Sequence, residues 1–192
     1  MKISFSASIG ISNRHVHLTK EDYKSLFGDE QISERNKLNQ PGEFASNSRV
    51  TIETSMGKIE NVIVLGPFRD YTQVEISKTD AYHLKLNPPV RKSGDIKGSE
   101  PITLIGSKGE LKLSEGVIIA NRHLHMDEIS AKELGLVDDQ ALTVNINTEK
   151  AGRMVVFVKV TNEAYIEVHL DTDDANAVLA KSGDQVEVIV ER

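Results

Sequence analysis

Asn13-Arg14-His15-Val16-His17-Leu18 and Asn121-Arg122-His123-Leu124-His125-Met126 are two versions of one hexapeptide, and they hold four of the chain's six histidines. Alternating apolar and small polar residues over Lys2–Ser12 precede the first and an apolar run over Gly116–Ala120 precedes the second, and each reads as a strand entering the histidine pair. Residues i and i+2 of a strand share a face, so His15 converges with His17, and His123 with His125. A short helix is expected after each pair. Thr19 is the N-cap of the first, with Glu21 and Asp22 in its opening turn and Gly28 as its stop. Asp127 to Leu134 forms the second.

The duplication extends further. Tyr71-Thr72-Gln73-Val74-Glu75-Ile76-Ser77-Lys78-Thr79-Asp80-Ala81 aligns with Tyr165-Ile166-Glu167-Val168-His169-Leu170-Asp171-Thr172-Asp173-Asp174-Ala175 at a constant offset of 94. Both repeats later reach Ser-Gly-Asp, at 93–95 and 182–184. In this alignment Glu75 stands opposite His169. Each half thus offers a His-x-His pair plus one further metal-competent residue: His15, His17 and Glu75 in one set, His123, His125 and His169 in the other. Three N/O ligands with an open position is the pattern of catalytic zinc; structural zinc usually takes four, often sulfur. Imidazole also suits iron, nickel and copper, so zinc is a preference among several cations. His83 aligns with Ala177 and reads as a helix-surface residue.

Between and after these motifs the chain reads as many short strands with brief helices. Val50–Thr54 and Ile59–Leu65 form a hairpin, Gln73–Ser77 a strand, and Thr79-Asp80 the cap of a helix ended by Asn87-Pro88-Pro89. Ile102–Ile105, Leu111–Leu113, Leu142–Ile146, Met154–Val160, Tyr165–Leu170 and Gln185–Val190 are strands, and Thr172–Lys181 a helix. Residues 29–47 are polar and irregular, have no equivalent after the second histidine pair, and read as an insertion. Glu43 within it either reaches the metal site or sits in a solvated loop. The pattern is that of a mainly β protein with short helices, built from β-barrel or sandwich units.

Composition bounds the function. The 192 residues carry a net charge of −6, so no global basic field draws nucleic acid. There is no cysteine, which excludes disulfides, Cys-ligated zinc and a cysteine nucleophile, and which agrees with a cytoplasmic setting. No apolar run approaches the roughly 18–20 residues of a membrane span, and the opening residues read as a strand and not a signal peptide.

Three other readings fit part of the pattern. His15-x-His17-x3-Glu21-x6-Gly28 matches much of a cupin metal motif, but that motif needs Glu21 on a hairpin where this segment reads as a capped helix. A dinuclear metal hydrolase using activated water is a second, although amidohydrolase barrels typically need about 250 residues. A metal-binding or structural module without activity is the third.

Taken together, Ser12-Asn13-Arg14-His15-Val16-His17, Gln40-Pro41-Gly42, Gly66-Pro67-Phe68-Arg69, Gln73–Ser77, Gly116–Ile119, Arg122–Met126 and Asp171–Asn176 resemble the PduL-type phosphate propanoyltransferase family, the phosphotransacylases of that type. The resemblance covers nearly the whole chain. It implies two pseudo-symmetric β-barrel domains with a chain crossover, residues 1–12 plus 121–192 forming one and 13–120 the other. It implies two metal ions, usually zinc, on the six residues already singled out. It places a phosphate-binding arginine at Arg69 and CoA contacts at Ile11, Ser12, Asn13 and Asn176. The implied reaction joins short-chain acyl-CoA (propanoyl-CoA or acetyl-CoA) and phosphate to give acyl phosphate and CoA. Family members often form dimers, so a homodimer is expected. With a barrel strand beginning almost at Met1, no microcompartment-targeting helix is expected.

Overall fold

The computed structural model describes residues 2–191, and its chain divides into two compact units. One unit comprises Asn13–Ala120. In chain order it holds β2 (His15–His17), α1 (Lys20–Phe27), β3 (Glu34–Lys37), β4 (Phe44–Thr54), β5 (Gly57–Gly66), β6 (Gln73–Glu75), α2 (Lys78–Leu84), β7 (Val90–Arg91), β8 (Glu100–Ile105) and β9 (Glu110–Ala120). The other unit joins β1 itself (Lys2–Ser12) to everything from Asn121 onward. That part is β10 (His123–Asp127), α3 (Glu128–Leu134), β11 (Ala141–Ile146), β12 (Gly152–Thr161), β13 (Glu167–Asp171), α4 (Thr172–Ala177) and β14 (Gln185–Glu191).

Each unit is a closed six-stranded barrel. In one, the ring runs β1-β13-β10-β12-β11-β14 and returns to β1. In the other it runs β9-β6-β2-β5-β4-β8 and returns to β9, with β3 added outside β4 and β7 outside β9. The two rings match strand for strand in direction. The parallel pairs are β1/β13 and β10/β12 in one, β9/β6 and β2/β5 in the other; the remaining ring pairs are antiparallel. β1 and β9 carry the crossover. Each leads directly into a histidine pair but is hydrogen-bonded into the barrel that does not contain that pair.

Alternation explains which residues line the barrels. Leu142, Val144 and Ile146 of β11, Val186, Val188 and Val190 of β14, and Leu124 and Met126 of β10 belong to one continuous core. Val50 and Ile52 of β4, Val62 and Val64 of β5, Val16 and Val74 form the other. Because Val16, Val74, Leu124 and Val168 point inward, the residues flanking them are displayed on the opposite face of the sheet. Those flanking residues are the histidine pairs and their partners.

The helices start where the sequence places them or close to it. The Thr19 hydroxyl accepts from the Asp22 N–H, and Gly28 takes the left-handed conformation that stops α1. Asp127 and Asp171 cap α3 and α4 in the same way. Other boundaries move. α2 is capped by Ser77 in a capping box with Asp80, so β6 ends at Glu75 and Thr79 lies inside the helix. α2 stops at left-handed Lys85, before the prolines, and α4 ends at Ala177 so that Val178 and Ala180 can enter the core. Residues 29–47 are not irregular throughout. Glu34–Lys37 pairs with β4, which itself begins at Phe44. Every side chain of β3 is exposed, so backbone hydrogen bonds alone make it a strand and no alternation announces it. Among the described residues no helix is long and apolar enough to cross a membrane.

Candidate metal centres

His15 and His17 on β2 face Glu75 and Gln73 on β6 across an antiparallel ladder, His15 opposite Glu75 and His17 opposite Gln73. The equivalent ladder sets His123 of β10 opposite His169 of β13 and His125 opposite Glu167. Directly opposed residues place their side chains within a few ångströms, which is how residues far apart in sequence come to one point. In each barrel three of the four side chains present ligand atoms within 4.8 Å of one another: His15, His17 and Glu75 in one, His123, His125 and His169 in the other.

Backbone carbonyls prepare the leading histidines. His15 Nδ1 lies 2.8 Å from the Asn13 carbonyl, and His123 Nδ1 lies 2.8 Å from the Asn121 carbonyl. A carbonyl only accepts, so each Nδ1 carries the proton, and a neutral ring then offers its Nε2 lone pair. His15 Nε2 lies 3.4 Å from Glu75 Oε2, and His123 Nε2 lies 3.1 Å from His125 Nε2. Two nitrogens bound to one tetrahedral zinc at about 2.0–2.1 Å would stand roughly 3.4 Å apart. The clusters therefore fit a cation that accepts imidazole and carboxylate ligands.

Glu75 is 8% exposed and is held at its other oxygen. The Gln73 amide donates to Glu75 Oε1 at 2.7 Å and to Ser93 Oγ at 2.9 Å, while its oxygen accepts from the Gly94 N–H at 2.7 Å. The Gly94 donor fixes which end of the amide is which, so Gln73 must present N–H to the carboxylate. In the second barrel Glu167 accepts from His169 Nε2 at 2.8 Å.

The arginines that precede the histidine pairs are structural ties. Arg14 grips Asp80 Oδ1 through Nε at 2.9 Å and Nη2 at 2.8 Å; Arg122 pairs with Asp174 at 3.4 Å. Asp80 and Asp174 open the helices that follow β6 and β13. Each histidine strand is thus fastened to the helix behind the third residue of its cluster. Burial, then repulsion from Asp171, raises the Asp174 pKa, and Arg122 opposes both.

Arg69 extends from the loop after β5, where its N–H donates to the Leu18 carbonyl at 2.9 Å. Its guanidinium donates to Glu43 Oε1 at 2.8 Å and to the Tyr71 hydroxyl at 3.1 Å. Glu43 is therefore an anchor for Arg69. Ile11 and Ser12 end β1 in register with Leu170 and Asp171, the last residues before the helix that bears exposed Asn176. The Ile11 N–H donates to Ser182 Oγ at 3.2 Å, and Asn13 Oδ1 accepts from the Arg14 N–H at 2.8 Å. His83 is exposed on α2.

Comparison with known proteins gives the family. A profile described as phosphate propanoyltransferase matches residues 8–181, a span that contains all six cluster residues. The chain belongs to the phosphate propanoyltransferase family. Its relatives include the phosphate propanoyltransferase of Thermotoga maritima, 44% identical over 186 residues that cover 94% of this chain and 88% of the relative. That of Shewanella putrefaciens is 43% identical over 182 residues, covering 93% and 85%, and that of Citrobacter rodentium 44% over 173 residues, covering 88% and 81%. The family is one of acyltransferases, and the chain is an enzyme of that class.

The sequence leaves Glu43 between a metal-site contact and a solvated loop, where the structure pairs it with Arg69; Gln73 and Glu167 have no expected role. For Gln73 and Glu167 a signal existed: the offset of 94 sets them opposite each other, two residues before Glu75 and His169.

Proposed function

We propose that this enzyme is a phosphate acyltransferase that converts short-chain acyl-CoA, propanoyl-CoA or acetyl-CoA, and phosphate reversibly to acyl phosphate and CoA, with a dinuclear metal site. The observation that supports it most is the pair of three-ligand clusters at equivalent ladder positions of two barrels, in a chain of the phosphate propanoyltransferase family.

His15, His17 and Glu75 would hold one cation, and His123, His125 and His169 the other, zinc being preferred for borderline nitrogen-rich sites. When bound, such cations offset the charge of an anionic substrate and polarise a carbonyl. Arg69 binds phosphate through its planar fork, with Glu43 and Tyr71 setting the guanidinium plane before phosphate arrives. Ile11, Ser12, Asn13 and Asn176 contact CoA. A phosphate oxygen attacks the thioester carbonyl carbon, the carbon–oxygen bond forms, the carbon–sulfur bond breaks, and CoA departs as a thiolate that takes up the proton phosphate gives up on acylation. No cysteine is available to carry the acyl group, so direct transfer between bound substrates is the simplest route. Positioning and charge neutralisation supply most of the rate.

The test is thiol release from propanoyl-CoA and acetyl-CoA, with and without phosphate, alongside metal analysis of the purified enzyme. Phosphate-dependent release, abolished by chelation and restored by zinc, is expected. Release independent of phosphate would replace the transferase with a thioester hydrolase.

A further inference from the structure

The two ligand sets appear unequal in charge, since Glu75 in one barrel is replaced by His169 in the other. The ladder geometry removes this inequality. Each site is a quartet of opposed side chains: His15, His17, Gln73 and Glu75, and His123, His125, Glu167 and His169. Each quartet contains one carboxylate. The acid and the neutral residue have exchanged places along the same strand.

Glu167 is built into its place. It is 4% exposed, and Oε2 lies 2.8 Å from His169 Nε2. A carboxylate oxygen accepts and a ring N–H donates, so this contact orients the His169 ring. The neighbouring strand is shaped around the pair. Gly10 lies in register with His169, and a Cβ there would fall 2.8 Å from Glu167 Cδ, 2.8 Å from Glu167 Oε2 and 2.8 Å from His169 Cδ2. The corresponding position in the other barrel, in register with Glu75, is buried Ile118. At this register position the Glu167–His169 barrel has a glycine and the Glu75 barrel an isoleucine.

We infer that Glu167 is the positioning carboxylate of the second metal centre, acting through His169 and restoring there the negative charge that Glu75 supplies directly in the first. A carboxylate hydrogen-bonded to a metal-binding histidine fixes its ring and increases its basicity, and losing such a partner typically weakens metal binding by about 10–100-fold. This rests on the two-metal reading proposed above.

The test titrates metal-free wild-type, Glu167→Gln and Gly10→Ala proteins with zinc against a competing chelator, and with cobalt(II) followed by its visible absorption. Metal-free proteins are also compared by thermal unfolding. Wild type is expected to bind two ions. Glu167→Gln keeps a hydrogen-bond acceptor but loses the charge, so one site should weaken by about 10-fold or more with the other unchanged. Glu167→Asp should recover part of the loss. Gly10→Ala displaces the pair without altering any ligand and should weaken the same site, with a changed cobalt spectrum, which keeps the inference testable if Glu167→Gln folds poorly. Wild-type affinity at both sites in Glu167→Gln and Gly10→Ala would overturn the role of Glu167 and leave the two-metal reading standing. A wild-type protein that binds no metal would overturn both.

Discussion

Arg69 is positioned by two neighbours, the Glu43 carboxylate and the Tyr71 hydroxyl, which occupy separate guanidinium nitrogens. A lysine ammonium is a single point charge on a flexible stem and cannot reproduce that fork. Arg69→Lys should therefore lose roughly 100-fold or more in turnover with phosphate, by the magnitude typical of a preorganised charge-stabilising donor. Metal content should stay at the wild-type level, because Arg69 belongs to neither cluster. Unchanged phosphate kinetics would remove it from the site. Glu43 is ambiguous in the sequence for a local reason. It sits in a polar stretch with no alternation, and only the approach of the loop after β5 gives its carboxylate a partner.

The short helices divide into a simple case and a coupled one. α1 depends on the Thr19 hydroxyl for its N-terminal N–H groups, so Thr19→Ala should cost about 1 kcal/mol. For a protein of this length that lowers the melting temperature by about 2–4 °C, and a calorimetric scan would show it. The start of α4 is electrostatically coupled. Asp174 is half-buried beside Asp171, and this desolvation, with repulsion from Asp171, holds its pKa above the ordinary carboxylate value in spite of Arg122. The folded state then holds a proton that the unfolded chain has already released. Stability from this group is fullest at acid pH and falls as pH rises from the ordinary carboxylate range through the raised value. The stability of Asp174→Asn relative to wild type should accordingly increase as pH is raised from about 4 to about 7, because the variant carries no acid to ionise. Melting temperatures measured across that range check it; a constant difference would show that Asp174 titrates alike in both states.

For the whole molecule, the crossover strands set the order in which parts depend on one another. β1 closes the barrel of the second histidine pair by pairing with β13 and β14, and contributes Ala7 and Ile9 to that core. Removing β1 should open that ring and leave the unit from Asn13 to Ala120 with all its own strands. Amide hydrogen exchange is the appropriate measurement. Protection should be lost over β10 to β14 and retained over β2 to β9. Equal protection in both would mean that the barrel closes without its crossover strand.

Much of this is legible in the sequence. The repeat paired Glu75 with His169, and the ladders place them at equivalent positions, because a repeated strand reproduces its register as well as its residues. Alternation located most strands, since a barrel wall has one buried face. Capping residues located most helix starts, since a hydroxyl or carboxylate must meet the first unpaired N–H groups. What the sequence could not determine has one physical cause: it depends on groups brought close by chain closure. β3 is made by backbone pairing alone. Glu43 finds Arg69 across a loop. Glu167 was visible in the alignment, but its contact with His169 and the glycine that makes room for it belong to three-dimensional packing. The residue types and their spacing determined the chemistry available to this protein and set Glu75 beside the first histidine pair, while tertiary structure decided that Glu167 stands against His169 and Glu43 against Arg69, because hydrogen-bond partners are properties of distance and not of order along the chain.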